Sequence, residues 1–376
     1  MFKKPYISGI SGTGISNIAY YFLEKGVKIY GSDGRKTDFM EKLENLGSEI
    51  FYTQTAENIQ KVQPDAFFYS QAIEDGSGKV ELEEAKKLGI PTFKNAEGYF
   101  ELFKDKKIIA ISGAHGKTTT TALASVIFTA GGLDPTCIIG APIKEFANKN
   151  FPEGRSFKLG NGDFVIIEAD EYRRNFLALK KIFGLVILNI EHDHPDCYKD
   201  IDDVKNAFLE LAKNVDKKGF LLISESQKTL FENLKNQKFY FGEKSDWDTH
   251  FEIVKPSEIE KIKFQISKQD DLDDDFVDFA EKEKNFFNTF CHSKIRSSVF
   301  QFPKSLIGEK NDLNILAAIA SYFLIILKFR KFKNEVFKSE KDFRNWSKFD
   351  EIGNALKNFS GTYRRQELIG FLKKQV

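Results

Sequence analysis

Short apolar runs alternate with amphipathic stretches along residues 5–100. Tyr6–Gly9 reads as a strand opening a glycine turn, Ile15–Lys25 has helical spacing, and Val27–Gly31 forms a second strand before Ser32-Asp33-Gly34. Phe39–Leu46 reads as a helix and Ala66–Ser70 as a strand entering a polar loop. Val80–Leu88 reads as a helix closed by Gly89, and Pro91–Phe93 as a last strand. Such alternation predicts a parallel, doubly wound sheet. After a short linker at Lys104–Lys106 the rhythm resumes. Ile108–Ser112 predicts a strand and Thr118–Ala130 a helix; Phe164–Ile167, Leu185–Leu188 and Phe220–Ile223 are apolar runs of strand length. The expectation is an α/β chain of two units, a Rossmann-like parallel-sheet domain over residues 1–103 and a second α/β domain over 104–376.

Composition narrows the function classes. Lys+Arg (56) and Asp+Glu (55) nearly cancel, so no electrostatic argument favours nucleic acid or an anionic membrane as partner. The three cysteines, Cys137, Cys197 and Cys291, lie far apart and form no CxxC pair, which fits a reducing, cytoplasmic setting. The N-terminus reaches glycine before any apolar core long enough for a signal peptide. The apolar stretch Leu313–Leu327 is interrupted by Asn314, Ser321 and Tyr322, and reads as a buried helix rather than a membrane span. An acidic run at 270–278 reads as a solvated loop, and 328–350 is Lys- and Phe-rich without a clear element.

Five segments carry chemistry. In Ile108–Thr121 a strand enters Gly113-Ala114-His115-Gly116-Lys117-Thr118 and a helix begins at the threonines. Glycines let the backbone approach phosphates, the helix N-terminus adds positive potential, Lys117 suits β/γ-phosphates and the Thr118 hydroxyl suits Mg²⁺. The spacing, GxxGKT, is two residues shorter than the usual phosphate loop, so the generic motif is only partly met. Phe164–Glu171 is a strand ending in three carboxylates, where a divalent cation or a solvated loop are both open readings. Leu188–Asp196 ends in a His/Asp cluster. A metal or phosphate role is open there, zinc is disfavoured without cysteines, and His192 alone reads as a surface histidine. Gly9-Ile-Ser-Gly-Thr-Gly14 follows a strand, with Asp33 some twenty residues on, and suits a phosphate-bearing nucleotide, although GxxGxG is not the usual dinucleotide spacing. Asn311 and Asn314 before a helix, and Arg364-Arg365 near the end, could be caps and solvated charge, or could contact adenine and phosphate.

These segments, in this order, resemble the Mur ligase family over nearly the whole chain. Gly113–Thr121 is similar to the family's GTHGKTTTT, with Ala114 in place of Thr. Glu168-Ala-Asp-Glu-Tyr172, Asn189–His194, Asn311-xx-Asn314 and Gly361-xx-Arg-Arg365 complete the series. The resemblance implies a UDP-sugar-binding domain followed by a P-loop-type ATPase domain, with ATP and Mg²⁺ as cofactors and UDP-N-acetylmuramate and L-alanine as substrates, joined through an acyl phosphate. A tripeptide in place of L-alanine is the alternative within the family. The resemblance further implies that Gly113, Ala114, His115, Gly116, Lys117, Thr118, Thr119, Asn311 and Arg365 bind ATP. Thr118, Glu168 and His194 would hold metal, and Lys117, Glu168, His194 and Arg365 would serve catalysis. Gly12, Thr13, Gly14, Ile15, Ser16, Asp33 and Ser70 would hold the UDP-sugar. Three departures stand out: Lys310 where a His commonly precedes the first Asn, the acidic run 270–278 as an insertion, and no counterpart of the family's third domain before Val376. The expectation is therefore a longer product, a separately encoded third domain, or a module that binds ATP and UDP-sugar without ligating.

Overall fold

A computed structural model describes residues 2–242, 250–252, 264–265, 313–315, 317–322, 324–326 and 348–362. The first sheet contains β1 (Pro5–Ser8), β2 (Tyr30–Ser32), β3 (Glu49–Phe51), β4 (Ala66–Tyr69) and β5 (Thr92–Lys94). Its order is β3-β2-β1-β4-β5 and every pairing is parallel. Helices α1 (Ser16–Glu24), α2 (Asp38–Asn45), α3 (Ala56–Val62) and α4 (Lys79–Lys87) make the crossovers, and α5 (Asn95–Phe103) leads on to the second sheet. The doubly wound reading holds. Three of its elements escaped the pattern: β3, too short at three residues to show a period, α3, and α5. Val27–Ile29 does not join β2, and Lys104–Lys106 is a tight turn, with the Lys106 N–H bonded to the Phe103 carbonyl at 2.8 Å.

The second sheet takes in β6 (Lys107–Ser112), β7 (Thr136–Ile143), β8 (Arg155–Lys158), β9 (Phe164–Glu168), β10 (Ile182–Ile187), β11 (Val215–Ser224), β12 (Lys238–Gly242), β13 (His250–Glu252) and β14 (Phe264–Gln265). The order is β14-β13-β12-β11-β10-β6-β9-β7-β8, parallel except at the two edges, β7–β8 and β13–β14. Helix α6 (Lys117–Ala130) follows β6, and α7 (Ile201–Lys213) and α8 (Lys228–Phe231) flank β11. Helical residues between 313 and 326, and α9 (Phe349–Lys357), cover α6.

Side-chain alternation along β6 explains the layering. Ile109 and Ile111 pack with α6 and the helical residues 315–326 in one core, while Ile108 and Ala110 face the other way. That second face shares a single apolar core with Ile7, Ile18, Phe22 and Phe68 of the first sheet unit. Polar contacts pin the same junction: the Ser156 hydroxyl donates to Asn17 Oδ1 at 2.6 Å, the Arg155 guanidinium donates to Glu24 and to the Phe146 carbonyl, and Tyr20 lies edge-on to Phe151. Among the described residues no helix is long and apolar enough to cross a membrane, and Leu313–Leu327 is helical where described, and buried there apart from the partly buried Leu313. Lys310, Asn311, the acidic run 270–278, 328–347 and Arg365 lie outside the described residues.

Candidate functional site

Two sites form, each at the carboxyl edge of a parallel sheet, where strand ends leave a crevice for ligands. In the second sheet the neighbours β10-β6-β9 bring three of the sequence segments together. Register places Glu168 beside Ile111 and Ile187 beside Ser112, so the carboxylate run and the Asn/His run flank the loop leaving β6. Gly113 (φ +140°) and Gly116 (φ +85°) adopt conformations that L side chains rarely take. Neither tolerates a Cβ: at Gly113 it would meet the Asn189 backbone at 3.0 Å, and at Gly116 the Asn314 Oδ1 at 2.3 Å. The Asn189 side chain closes the loop from the other side, accepting from the His115 N–H at 2.7 Å and donating to the His115 carbonyl at 2.9 Å.

Lys117 opens α6 and folds back over the loop. Its ammonium donates to the carbonyls of Gly113 (2.8 Å) and Ala114 (3.2 Å) and pairs with Glu171 at 2.8 Å. Glu171 is buried to 3% exposure and Lys117 is partly buried. Thr118 is buried and donates to Glu168 Oε1 at 2.9 Å, while the Gly140 N–H donates to Glu168 Oε2 at 2.6 Å. Burial pushes both carboxyls up from the ordinary range; Thr118 and the Gly140 N–H oppose this at Glu168, and Lys117 opposes it at Glu171. Glu171 Oε2 is buried without a partner among the described residues.

His194 takes a left-handed backbone (φ +58°), a costly conformation for a residue with a side chain. Its Nε2 lies 3.7 Å from both Glu171 Oε1 and Asp193 Oδ2, and its ring packs against Tyr172. One ligand atom from each of Glu171, Asp193 and His194 falls within 4.8 Å of the others. Thr118 and Glu168 are thus joined directly, whereas His194 is grouped with Glu171 and Asp193, which sequence reasoning did not assign as ligands. Both missed carboxylates stood inside the singled-out runs, and only the turn after β9 shows which of three acids faces Lys117. His192 is exposed and bonds the Tyr198 carbonyl, in keeping with the surface reading. His115 is exposed, Ala114 and Thr119 are buried, and Asn311 and Arg365 are outside the described residues.

In the first sheet a cleft of about 380 Å³ opens at the switch between β1 and β4. Gly9, Gly12, Asp33, Gln54, Ser70 and Ser77 are on its wall. Of the expected residues, Gly12, Asp33 and Ser70 line it, whereas Thr13, Gly14, Ile15 and Ser16 do not. Ile15 is buried in the core, the Ser16 hydroxyl turns back to the Thr13 carbonyl, and Gly14 lies against Asn95 and receives the Tyr99 hydroxyl at its carbonyl. Asp33 braces the glycine turn by accepting from the Ser11 N–H at 3.0 Å. Gln54 and Ser77 were missed, being isolated polar residues without motif spacing.

Known proteins resemble this chain over both sheet units. Residues 5–107 match the family model "Mur ligase family, catalytic domain" and residues 111–322 match "Mur ligase middle domain". A UDP-N-acetylmuramate–L-alanine ligase of Clostridium kluyveri is 32% identical across the whole of this chain, which spans 70% of that relative. One from Geotalea uraniireducens is 41% identical over 213 residues, 57% of this chain and 44% of that protein. Among solved structures, the UDP-N-acetylmuramate–alanine ligase of Thermotoga maritima has a TM-score of 0.65 at 21% identity, over 99% of this chain and 72% of that one. A UDP-N-acetylmuramate:L-alanyl-γ-D-glutamyl-meso-diaminopimelate ligase from Neisseria meningitides has a TM-score of 0.66 at 20% identity, over 97% of this chain and all of that one. At that identity the two structures speak for the fold.

Proposed function

The chain belongs to the Mur ligase family, and on that premise we propose that it joins L-alanine to UDP-N-acetylmuramate at the expense of ATP, a step of peptidoglycan precursor synthesis in the cytoplasm. The observation that carries the reading is the pairing of Lys117 with Glu171 beside the pairing of Thr118 with Glu168, at one end of three adjacent strands. The full-chain match to an L-alanine-adding relative favours L-alanine over a tripeptide.

In this reading the loop 113–119 receives the ATP phosphates. Lys117 leaves Glu171 for the β/γ-phosphates, an exchange of one anionic partner for another. Asn311 contacts adenine and Arg365 a phosphate, while Gly12, Asp33 and Ser70, which line the cleft of the first sheet, take the UDP-sugar. The donor set suits Mg²⁺: hard oxygens from Thr118, Glu168, Glu171 and Asp193, one imidazole, no thiolate, and a buried carboxylate oxygen lacking a partner. Thr118 and Glu168 would hold one ion, and His194 with Glu171 and Asp193 a second. Bound there, Mg²⁺ would offset phosphate charge. A substrate carboxylate oxygen attacks the γ-phosphorus and ADP leaves. The amine of L-alanine then attacks the acyl carbon, and inorganic phosphate leaves with the former carboxylate oxygen. Neither step needs covalent help from the protein, and alignment and charge stabilisation carry the rate.

The test follows ADP release from this chain with UDP-N-acetylmuramate and L-alanine, with the tripeptide as competitor. Lys117→Ala is expected to abolish turnover and leave UDP-N-acetylmuramate affinity unchanged. Turnover that survives Lys117→Ala removes Lys117 from the ATP site. Binding of both ligands by the native chain without ADP release leaves a binding module, not a ligase.

A further inference from the structure

Behind the cleft of the first sheet lies a carboxylate that the reaction does not use. Glu81 on α4 is fully buried. Its Oε1 accepts from the Tyr6 hydroxyl (2.7 Å) and the Asn58 amide (2.9 Å). Its Oε2 accepts from the Ser8 and Ser32 hydroxyls, each at 2.6 Å. These serines end β1 and β2 immediately before the glycine turn and Asp33. A serine has one proton to give, so Ser8 and Ser32 keep only lone pairs for their other neighbour. That neighbour is Gln54, whose Nε2 donates to Ser8 at 3.1 Å, while its Oε1 faces the cleft rim and accepts from the Ser77 hydroxyl at 2.6 Å. Gln54 and Ser77 both line the cleft.

We propose that Glu81 is a positioning residue for the sugar-nucleotide cleft. By claiming both serine protons it fixes the Gln54 amide with its carbonyl oxygen toward the ligand, an acceptor for an N–H or O–H of the bound nucleoside. The proposal rests on the sugar-nucleotide reading of the cleft. Short bonds to a charged acceptor make this polarity stiff. Asn58 makes it directional. Its Nδ2 also donates to the Thr53 carbonyl (2.7 Å) and can only donate, so an amide at position 81 must turn its oxygen to Asn58 and its NH₂ to the serines. Ser8 and Ser32 would then accept from that amide and donate outward. Gln54 would flip, and the cleft wall would change from acceptor to donor.

UDP titrated calorimetrically into the chain reads this. Glu81→Gln is expected to bind UDP at least about tenfold more weakly, the factor that ~1.4 kcal/mol carries, with ATP affinity at the second sheet unchanged as proof of folding. Adding Gln54→Glu to Glu81→Gln is expected to restore UDP affinity, because the reoriented serines donate to the new carboxylate and its other oxygen serves the cleft. A packing role for Glu81 gives no such rescue, and absence of rescue overturns the proposal. Should Glu81→Gln not fold, Gln54→Glu alone reports the same polarity: with both serine protons committed it is expected to lose affinity at high as well as low salt, and undiminished affinity overturns the proposal. If the native chain does not bind UDP, the sugar-nucleotide reading itself fails and the proposal with it. Native binding that Glu81→Gln leaves intact overturns the proposal alone.

Discussion

Replacing Lys117 with methionine isolates what the ion pair under the phosphate loop costs and holds. The stem is kept and the charge removed, leaving Glu171 at 3% exposure with its one ionic partner of 2.8 Å gone. Stripping one partner from a buried pair costs about 3–5 kcal/mol. A proton offers the chain an escape, and its price sets a ceiling. Protonating a carboxyl of ordinary pKa near 4.3 takes ~1.36 kcal/mol per pH unit, hence about 5 kcal/mol near pH 8 and about 1 kcal/mol near pH 5. The direction follows from linkage. Burial already raises the Glu171 carboxyl in the native fold and Lys117 opposes it. A raised folded pKa gives a contribution fully present below the unfolded pKa and lost as pH rises through the folded one. Lys117→Met is therefore expected to lose about 3 kcal/mol near pH 8 and no more than about 1 kcal/mol near pH 5, read by urea denaturation followed by circular dichroism. Adding Glu171→Gln should recover most of the loss near pH 8 and none of the ATP turnover. A deficit equal at both pH values, or unaffected by Glu171→Gln, refutes the buried-pair account.

Glu168→Gln keeps the shape and one acceptor, which must face the Gly140 N–H, while the Thr118 hydroxyl turns to accept from the new NH₂; a buried charge is removed, so stability should hold or rise as the Mg²⁺ requirement climbs at least about tenfold, and an unaltered Mg²⁺ titration takes Glu168 out of the metal site. Because burial holds the Glu168 carboxyl above the ordinary range, Mg²⁺ affinity of the native chain should begin to fall with acidification at a pH above that range, measured by titrating Mg²⁺ across a pH series; a fall confined to the ordinary carboxylate range contradicts this. Gly116→Ala meets both a φ of +85° and Asn314 at 2.3 Å, so a loss of about 1–3 kcal/mol is expected together with weakened ATP binding; calorimetry showing native affinity would mean the loop does not hold ATP in this conformation.

Sequence alone determined the parts that depend on neighbours along the chain. The apolar run Ile108–Ser112 followed by Gly113 and Gly116 could only be a strand delivering a tight turn to a helix, and four of the first five strands, with helices α1, α2 and α4 between them, announced a parallel sheet through their alternation. The motif order was enough to indicate the family. Pairings across strands were beyond it, because they depend on which strand lies beside which. The order β10-β6-β9 chose Glu171, from three adjacent acids, as the partner of Lys117, and placed Asn189 against the loop. It also moved His194 from Thr118 and Glu168 to Glu171 and Asp193. The glycine turn of the first sheet shows the same limit: Ile15 and Ser16 have motif spacing, but Ile15 is buried in the core and the Ser16 hydroxyl turns back to the Thr13 carbonyl, while Gln54 meets Ser77 and Glu81, distant from it in sequence, behind and beside the cleft. Glu81 left a trace, an acid on the apolar side of α4 next to Leu82 and Ala85, but its meaning came only from the four donors that two strands and a helix bring to it. Local backbone chemistry is written in adjacent residues; the polarity of a buried hydrogen-bond network is a property of the assembled sheet.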